Sequence, residues 1–346
     1  MSDDHRLLTD AAFRREGLYG SRVEPTFSGV LSFMRRRYGR DLTGVDIAVT
    51  GLPFDQAVSN RPGARFGPEA IRKASAHHSW GPVWPWGFDP FDTLAVVDYG
   101  DCTIDYGDVA GVPAAIEAHV AGILAGGAQT LCLGGDHFTT YPVLRAHAAR
   151  HGPLALVHFD AHRDFEADAG RRIDHGSMFT RALDEGLVDP ARSIQIGIRT
   201  TFAGEGGGGV RVIDAEETHA LGPGPIAAAI RATAGDGPAY LTFDIDFLDP
   251  STAPGTGTPV PGGMTSFQAL SILRALRGFD PVGMDVVEVS PPWDHAEMTS
   301  NAAAMVALEM LCLKAWARGA RAAPEAGRGG GPGGGAGGGG AGPRRP

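Results

Sequence analysis

Residues 157–165 read VHFDAHRDF, an apolar strand that ends in groups able to carry charge. Ala155, Leu156 and Val157 lead into Phe159, and Asp160, His162 and Asp164 then occupy every second position. Two carboxylates and an imidazole at a buried strand end are costly unless something positive lies between them. In an extended segment, residues i, i+2 and i+4 project to one side, so the spacing aims all three at a common point.

Three other apolar runs finish in the same manner. QTLCL from Gln129 is followed by Gly134, Gly135, Asp136 and His137; AYLTF from Ala239 by Asp244 and Asp246; GMDVV from Gly283 by Glu288. Four more runs are DIAVTGL from Asp46, TLAVVDYG from Thr93, SIQIGI from Ser193 and VRVID from Val210. Near-continuous apolar runs of this length predict strands covered on both faces, which means a parallel sheet. Between them lie helical patterns: PEAIRKASAH, PAAIEAHVAGILAGG, TYPVLRAHAARHG, PIAAAIRATAG, TSFQALSILRALRG and SNAAAMVALEMLCLKAWARG. The alternation predicts an α/β domain with helices on both faces of the sheet.

In a parallel sheet, ligands gather at the carboxyl ends of the strands. Asp160, His162, Asp164, Asp244, Asp246 and His137 all follow such ends, giving four carboxylates and two imidazoles. That set is too negative to gather without cations. Six protein ligands exceed what one tetrahedral zinc site uses, whereas two divalent ions sharing bridging carboxylates use them all. Oxygen-rich ligation with some imidazole favours manganese.

The totals fit this reading. With 346 residues and 43% hydrophobic content, the chain can form one large domain or two modest ones. A net charge of -10 argues against a nucleic-acid binder working through a broad basic surface. Cys102, Cys132 and Cys312 are few and far apart, which suits a reducing compartment. The N-terminal residues hold no apolar stretch long enough for a signal peptide, and no run could span a membrane. The expectation is a cytoplasmic protein. No charged or Pro-rich linker divides the chain, so residues 1–322 are read as a single domain. Residues 323–346, nearly all Gly with Pro and Arg, predict a disordered tail, and GEGGGG at 204–209 predicts a flexible loop.

GGDHFTTYP, VHFDAHRD, IDHGSMF, LTFDIDFLDPSTAPGTGTPVPGG and MDVVEVSPPWD, taken as an ordered set, resemble the ureohydrolase family of arginases and agmatinases. The match begins near SNRPGARFGPEAIRKAS and runs to the last helical pattern, covering residues 25–318. WPWGFDPFDTLAVVDYGD, LVHFDAH, QIGIRTTF and APGTGTPVPGG look most like bacterial agmatinases. The resemblance implies a three-layer αβα fold with a mostly parallel sheet of eight or so strands. It also implies two Mn²⁺ ions, a trimer or hexamer of one chain, and hydrolysis of a guanidino group to urea and an amine. One ion would be held by His137, Asp160, Asp164 and Asp244, the other by Asp160, His162, Asp244 and Asp246, with Asp160 and Asp244 bridging.

The chemistry is consistent with that. A guanidinium carbon is deactivated by resonance, and a water shared by two divalent ions loses a proton far more readily than bulk water. A cationic substrate needs an anionic anchor, a role the resemblance gives to Glu288. His175, in IDHGSMF, matches the family's proton-shuttling histidine, a task an imidazole suits. Asp164, His175 and Glu288 thus form the expected catalytic set.

At the mouth, FEADAGRRI offers Glu166 and Asp168 to attract the distal ammonium of agmatine, and lacks the Asn and Ser that arginases place there. Arg171 and Arg172 instead favour a carboxylate-bearing substrate such as 4-guanidinobutanoate, the alternative, and Arg163 stands where many family members have a small residue, which also bears on the substrate. Asp285 and the remaining histidines, among them His77, His78 and His158, carry a structural reading. Two rivals remain: a zinc amide hydrolase of the deacetylase type, and a catalytically silent relative.

Overall fold

The computed structural model describes Leu18 and residues 25–79, 81–168, 172–204 and 206–321. The Gly-rich tail expected at 323–346 lies outside the described residues, as does Arg171.

All eight apolar runs form strands: β1 Ile47–Leu52, β2 Val96–Asp101, β3 Gln129–Gly134, β4 Ala155–Phe159, β5 Ile194–Ile198, β6 Arg211–Asp214, β7 Ala239–Asp244 and β8 Gly283–Val287. They join one sheet in the order β2-β1-β3-β8-β7-β4-β5-β6, and every pairing is parallel. The six helical patterns form α1 Gly67–Ser75, α2 Val112–Ala125, α3 Thr140–His151, α6 Pro223–Ala234, α7 Ser266–Ala275 and α8 Met298–Ala317. Two short helices, α4 Met178–Asp184 and α5 Ala215–Leu221, were not legible. Each is two turns long, too short for helical periodicity to stand out. α5 begins where Asp214 accepts the N–H of Glu217.

The pleat divides the strand side chains between two cores. Leu131, Leu133, Val157, Phe159, Leu241 and Phe243 join one cluster with residues of α1, α6, α7 and α8. Cys132, Leu156 and Tyr240 join a second with residues of α2, α3 and α4. Helices therefore cover both faces, giving three layers. Phe159 stacks on Phe243 with ring centroids 5.5 Å apart, and truncating such a buried ring to Ala costs about 3–5 kcal/mol.

The strand order fixes where chemistry can sit. β3, β8, β7 and β4 are adjacent at the centre of the sheet, and the chain jumps from β3 to β4 across the other two. A crevice forms at the carboxyl ends where such an order changes direction. The four runs with polar endings are these four strands.

Candidate metal centre and active site

The polar side chains converge by turns rather than by continued extension. β4 stops at Phe159, and Asp160 Oδ1 accepts the N–H of His162 at 2.6 Å. β7 stops at Asp244, whose Oδ1 accepts the N–H of Asp246 at 2.8 Å as a 3₁₀ turn begins. Short carboxylates bonded to backbone two residues ahead bend the chain inward. The alternate projection expected for Asp160, His162 and Asp164 is therefore corrected. Asp164 takes a left-handed backbone at φ 56°, as does Glu288 at φ 63°, a conformation non-glycine residues adopt only where their surroundings enforce it. His137 opens a 3₁₀ turn after GGD. Gly135 is needed there because a Cβ would collide with the Phe54 carbonyl.

His137 Nδ1 lies 3.1 Å from Asp160 Oδ2, 3.0 Å from Asp164 Oδ2 and 3.2 Å from Asp244 Oδ2. His137 Nε2 is 2.9 Å from Thr242 Oγ1, a hydroxyl that also bonds Asp285. His162 Nδ1 lies 3.0 Å from Asp246 Oδ2 and 3.3 Å from Asp160 Oδ1. The six residues thus form two adjoining groups, with Asp160 common to both.

This donor set fits dications. His137 Nδ1 is buried and makes no well-aligned hydrogen bond among the described residues, although three carboxylate oxygens face it. A lone pair against three anionic oxygens is repulsive unless a cation lies among them. The ionisation pattern carries the same strain. Burial, together with Asp246 and Asp160, drives the Asp244 carboxyl well above the ordinary range. Burial opposes charge on Asp160 too, yet His158, His137 and His162 hold it well below. Burial would depress His162, but Asp246 and Asp160 raise it to about 12.

Glu288 and His175 meet beside this cluster. Glu288 Oε1 accepts the His137 N–H at 2.9 Å and lies 2.8 Å from His175 Nδ1. Glu288 Oε2 is buried with no hydrogen bond among the described residues. The other imidazole nitrogen, His175 Nε2, accepts the backbone N–H of Ser59 at 3.0 Å and lies 2.8 Å from its hydroxyl. An acceptor at Nε2 puts the proton on Nδ1, facing Glu288. Burial lowers the His175 pKa, but Glu288, Asp164 and Asp136 override it and raise it to about 9. A second proton is therefore taken up easily, at the expense of the Ser59 contact.

A small cavity of about 60 Å³ opens beside the cluster, lined by Ser59, His162, Asp164, Glu166, His175 and Phe202 among others. Glu288 is not in its wall; His175 lies over it. Of the two expected mouth acids only Glu166 faces this space. Asp168 is a correction: it forms a two-pronged pair with Arg181, at 3.0 and 3.1 Å, with only 6% of its side chain exposed. Arg172 is exposed, its nearest carboxylate Asp174 at 3.8 Å. Arg163 lies under the Gly-rich loop, where a Cβ on Gly207 would strike its guanidinium, so neither arginine lines the cavity.

Sequence reasoning assigned no role to Ser59 or Phe202 and gave His158 a structural reading. Ser59 and Phe202 fall within SNRPGARFGPEAIRKAS and QIGIRTTF, but nothing in those stretches alone points the two side chains at a site they reach from distant loops. His158 had a signal, since it lies on β4 two residues before Asp160; its Nε2 is 2.7 Å from Asp160 Oδ2.

A sequence profile of the arginase family matches residues 45–312. An agmatinase of Chromobacterium violaceum is 54% identical over 312 residues, which span 90% of this chain and 96% of that protein. Among solved structures, a hypothetical agmatinase from Burkholderia thailandensis superposes with a TM-score of 0.86 at 51% identity, covering 89% of this chain and 98% of that one. Proclavaminate amidino hydrolase from Streptomyces clavuligerus gives 0.81 at 42% identity, covering 85% and 100%.

Proposed function

The chain belongs to the arginase family, and from that premise we propose that it is an agmatinase, hydrolysing agmatine to putrescine and urea with two Mn²⁺ ions. The observation that carries this is the convergence of four carboxylates on two imidazoles beside a buried, unpartnered Glu288 oxygen. His137, Asp160, Asp164 and Asp244 would hold one ion; Asp160, His162, Asp244 and Asp246 would hold the other. Bound there, the ions supply the acidification of a water near neutral pH. Oxygen-rich donors with two imidazoles support manganese over zinc.

The chain's own residues account for the rest. Glu288 Oε2 offers an anion with no hydrogen-bond partner among the described residues, as a guanidinium requires. His175 must release its Nδ1 bond to Glu288 for that anchor to be reached, which leaves Nδ1–H beside the bound group. Hydrolysis puts the water oxygen on the guanidinium carbon and breaks that carbon's bond to the nitrogen carrying the alkyl chain, which leaves as the amine. The departing nitrogen needs a proton, and His175 Nδ1 can deliver it. Glu166, at the cavity mouth, suits the distal ammonium. A carboxylate-bearing substrate would need a cation there, and neither Arg163 nor Arg172 supplies one.

The three cysteines are buried free thiols, which supports a reducing, cytoplasmic setting. No helix among the described residues is long and apolar enough to cross a membrane. Trp84 and Phe267, 71% and 67% exposed, flank an apolar groove with Leu270 and Met305. Assembly into a trimer or hexamer would give such rings a partner surface.

The deciding experiment is urea release by Mn²⁺-loaded protein from agmatine, arginine and 4-guanidinobutanoate. Agmatine should be turned over much the fastest. Equal or faster release from guanidinobutanoate would transfer the assignment to that substrate, and no urea from any would leave a silent relative.

A further inference from the structure

His158 is fully buried on β4, yet it is neither in the cavity wall nor one of the six residues assigned to the ions. Its ring contacts Phe179 edge-on, with centroids 4.8 Å apart. One nitrogen meets Asp160 Oδ2 at 2.7 Å and the other meets the Gln195 amide nitrogen at 2.9 Å. Gln195 is itself buried, on the neighbouring strand β5.

Donor and acceptor chemistry fixes every proton in this chain of contacts. Arg163 has donors but no acceptor on its side chain, and its Nε faces Gln195 Oε1 at 3.3 Å. The Arg163 carbonyl can only accept, and the Gln195 amide nitrogen donates to it at 2.7 Å. Both contacts set the same amide orientation, with the NH₂ group toward His158. That group donates to His158 Nδ1, so the neutral ring carries its proton on Nε2 and donates it to Asp160. Reversing any one link would set donor against donor or acceptor against acceptor.

We propose that Arg163, Gln195 and His158 form a positioning relay that fixes the Asp160 carboxylate for the two metal ions. Asp160 is, with Asp244, shared by both sets of metal-binding residues, and it lies against both His137 and His162. Its Oδ1 is held by the His162 N–H and its Oδ2 by His158, so each oxygen has one fixed direction and the remaining lone pairs are left for the ions. Arg163 thereby gains a role inside the fold rather than at the substrate mouth. This inference rests on the metal-site reading above, but not on the identity of the guanidino substrate.

The test is metal affinity rather than turnover. Partners that orient a metal ligand typically contribute about 10–100-fold to affinity. His158→Phe keeps an apolar ring against Phe179 and removes the donor. Its Mn²⁺ content after equilibration with graded buffered Mn²⁺ should require about 10–100-fold more metal to reach half-saturation. Gln195→Met, which removes the amide without adding charge, should weaken binding by a smaller factor. The double variant should bind no worse than His158→Phe alone, because both act through one hydrogen bond.

Thermal unfolding of the metal-free proteins separates positioning from packing. A positioning role predicts near-equal metal-free stability with a reduced Mn²⁺-induced rise. His158→Phe with wild-type half-saturation overturns the relay, and so does a loss confined to metal-free stability. Should His158→Phe fail to fold, Gln195→Met carries the same test alone. A wild-type protein that takes up no Mn²⁺ would overturn the metal-site reading and the relay with it.

Discussion

The floor of the site and its mouth are built on different terms. At the floor, Asp160, Asp244 and Asp246 are at most 3% exposed and sit within three residues of a strand end. At the mouth, Glu166 and Asp168 lie on the segment between Asp164 and His175, whose described residues belong to no strand or helix. Sheet register determines which floor residues meet: Phe159 pairs with Phe243, which brings Asp160 beside Asp244. Long-range partners determine the fate of the mouth residues, and Arg181 removes Asp168 from the cavity.

The strongest way to break this contrast is to remove a floor residue. Asp160→Ala should lose bound metal and reduce urea release to background, because it removes one of the two carboxylates shared by both ion sets, the one that lies against both His137 and His162. Elemental analysis showing full Mn²⁺ in that variant would sink the arrangement. His175→Ala, next in size, should lower kcat by about 10²–10⁴-fold, the usual worth of a positioned general acid or base, while both ions stay bound.

How much of each region was legible follows from the same contrast. The central strands were readable because a strand buried on both faces must be apolar along its length, whereas β6, largely exposed at the sheet edge, was marked by its short apolar run alone. The polar endings were readable because charge after such a run is anomalous. The manner of convergence was not: Asp164 depends on a left-handed backbone that no spacing rule encodes. Ser59 was also beyond reach, since its contact with His175 joins residues 116 positions apart. Asp168 and Glu166 look equivalent in sequence, and only the bond to Arg181 distinguishes them.

The His175–Glu288 contact sharpens the comparison through pH. His175 is raised to about 9 in the folded protein, above the roughly 6.5 of an unfolded histidine. A raised folded pKa gives stability that is fully present below pH about 6.5 and lost as pH climbs through about 9. Thermal unfolding of metal-free protein should therefore show stability declining over that window. Glu288→Gln removes the largest stabilising charge and should flatten the decline. An unchanged slope would mean that the pair does not hold the proton.

Mouth substitutions should act more weakly on turnover. Glu166→Gln removes a charge facing a distal ammonium, and a hydrogen bond to a charged group contributes about 1.5–3 kcal/mol. KM for agmatine should then rise about tenfold or more, with kcat little altered because the reacting carbon is anchored elsewhere. A fall in kcat at constant KM would place Glu166 in the chemistry instead.

Asp168→Asn should alter turnover least and stability most among the mouth variants. The Arg181 guanidinium also lies over the rings of Phe138 and Tyr141, at 5.9 and 5.1 Å from their centroids, and it donates to the Arg172 carbonyl at 2.5 Å. Taking away the carboxylate leaves that cation nearly buried with no anionic hydrogen-bond partner among the described residues, against two rings, the Tyr141 hydroxyl and a carbonyl. Breaking a buried pair from one side typically costs about 3–5 kcal/mol. Because Arg181 keeps its backbone and ring contacts, the lower end of that range is expected in chemical denaturation, with KM for agmatine unmoved. If KM rose as much as in Glu166→Gln while stability held, Asp168 would belong to the substrate, and the division between floor and mouth would have to be redrawn.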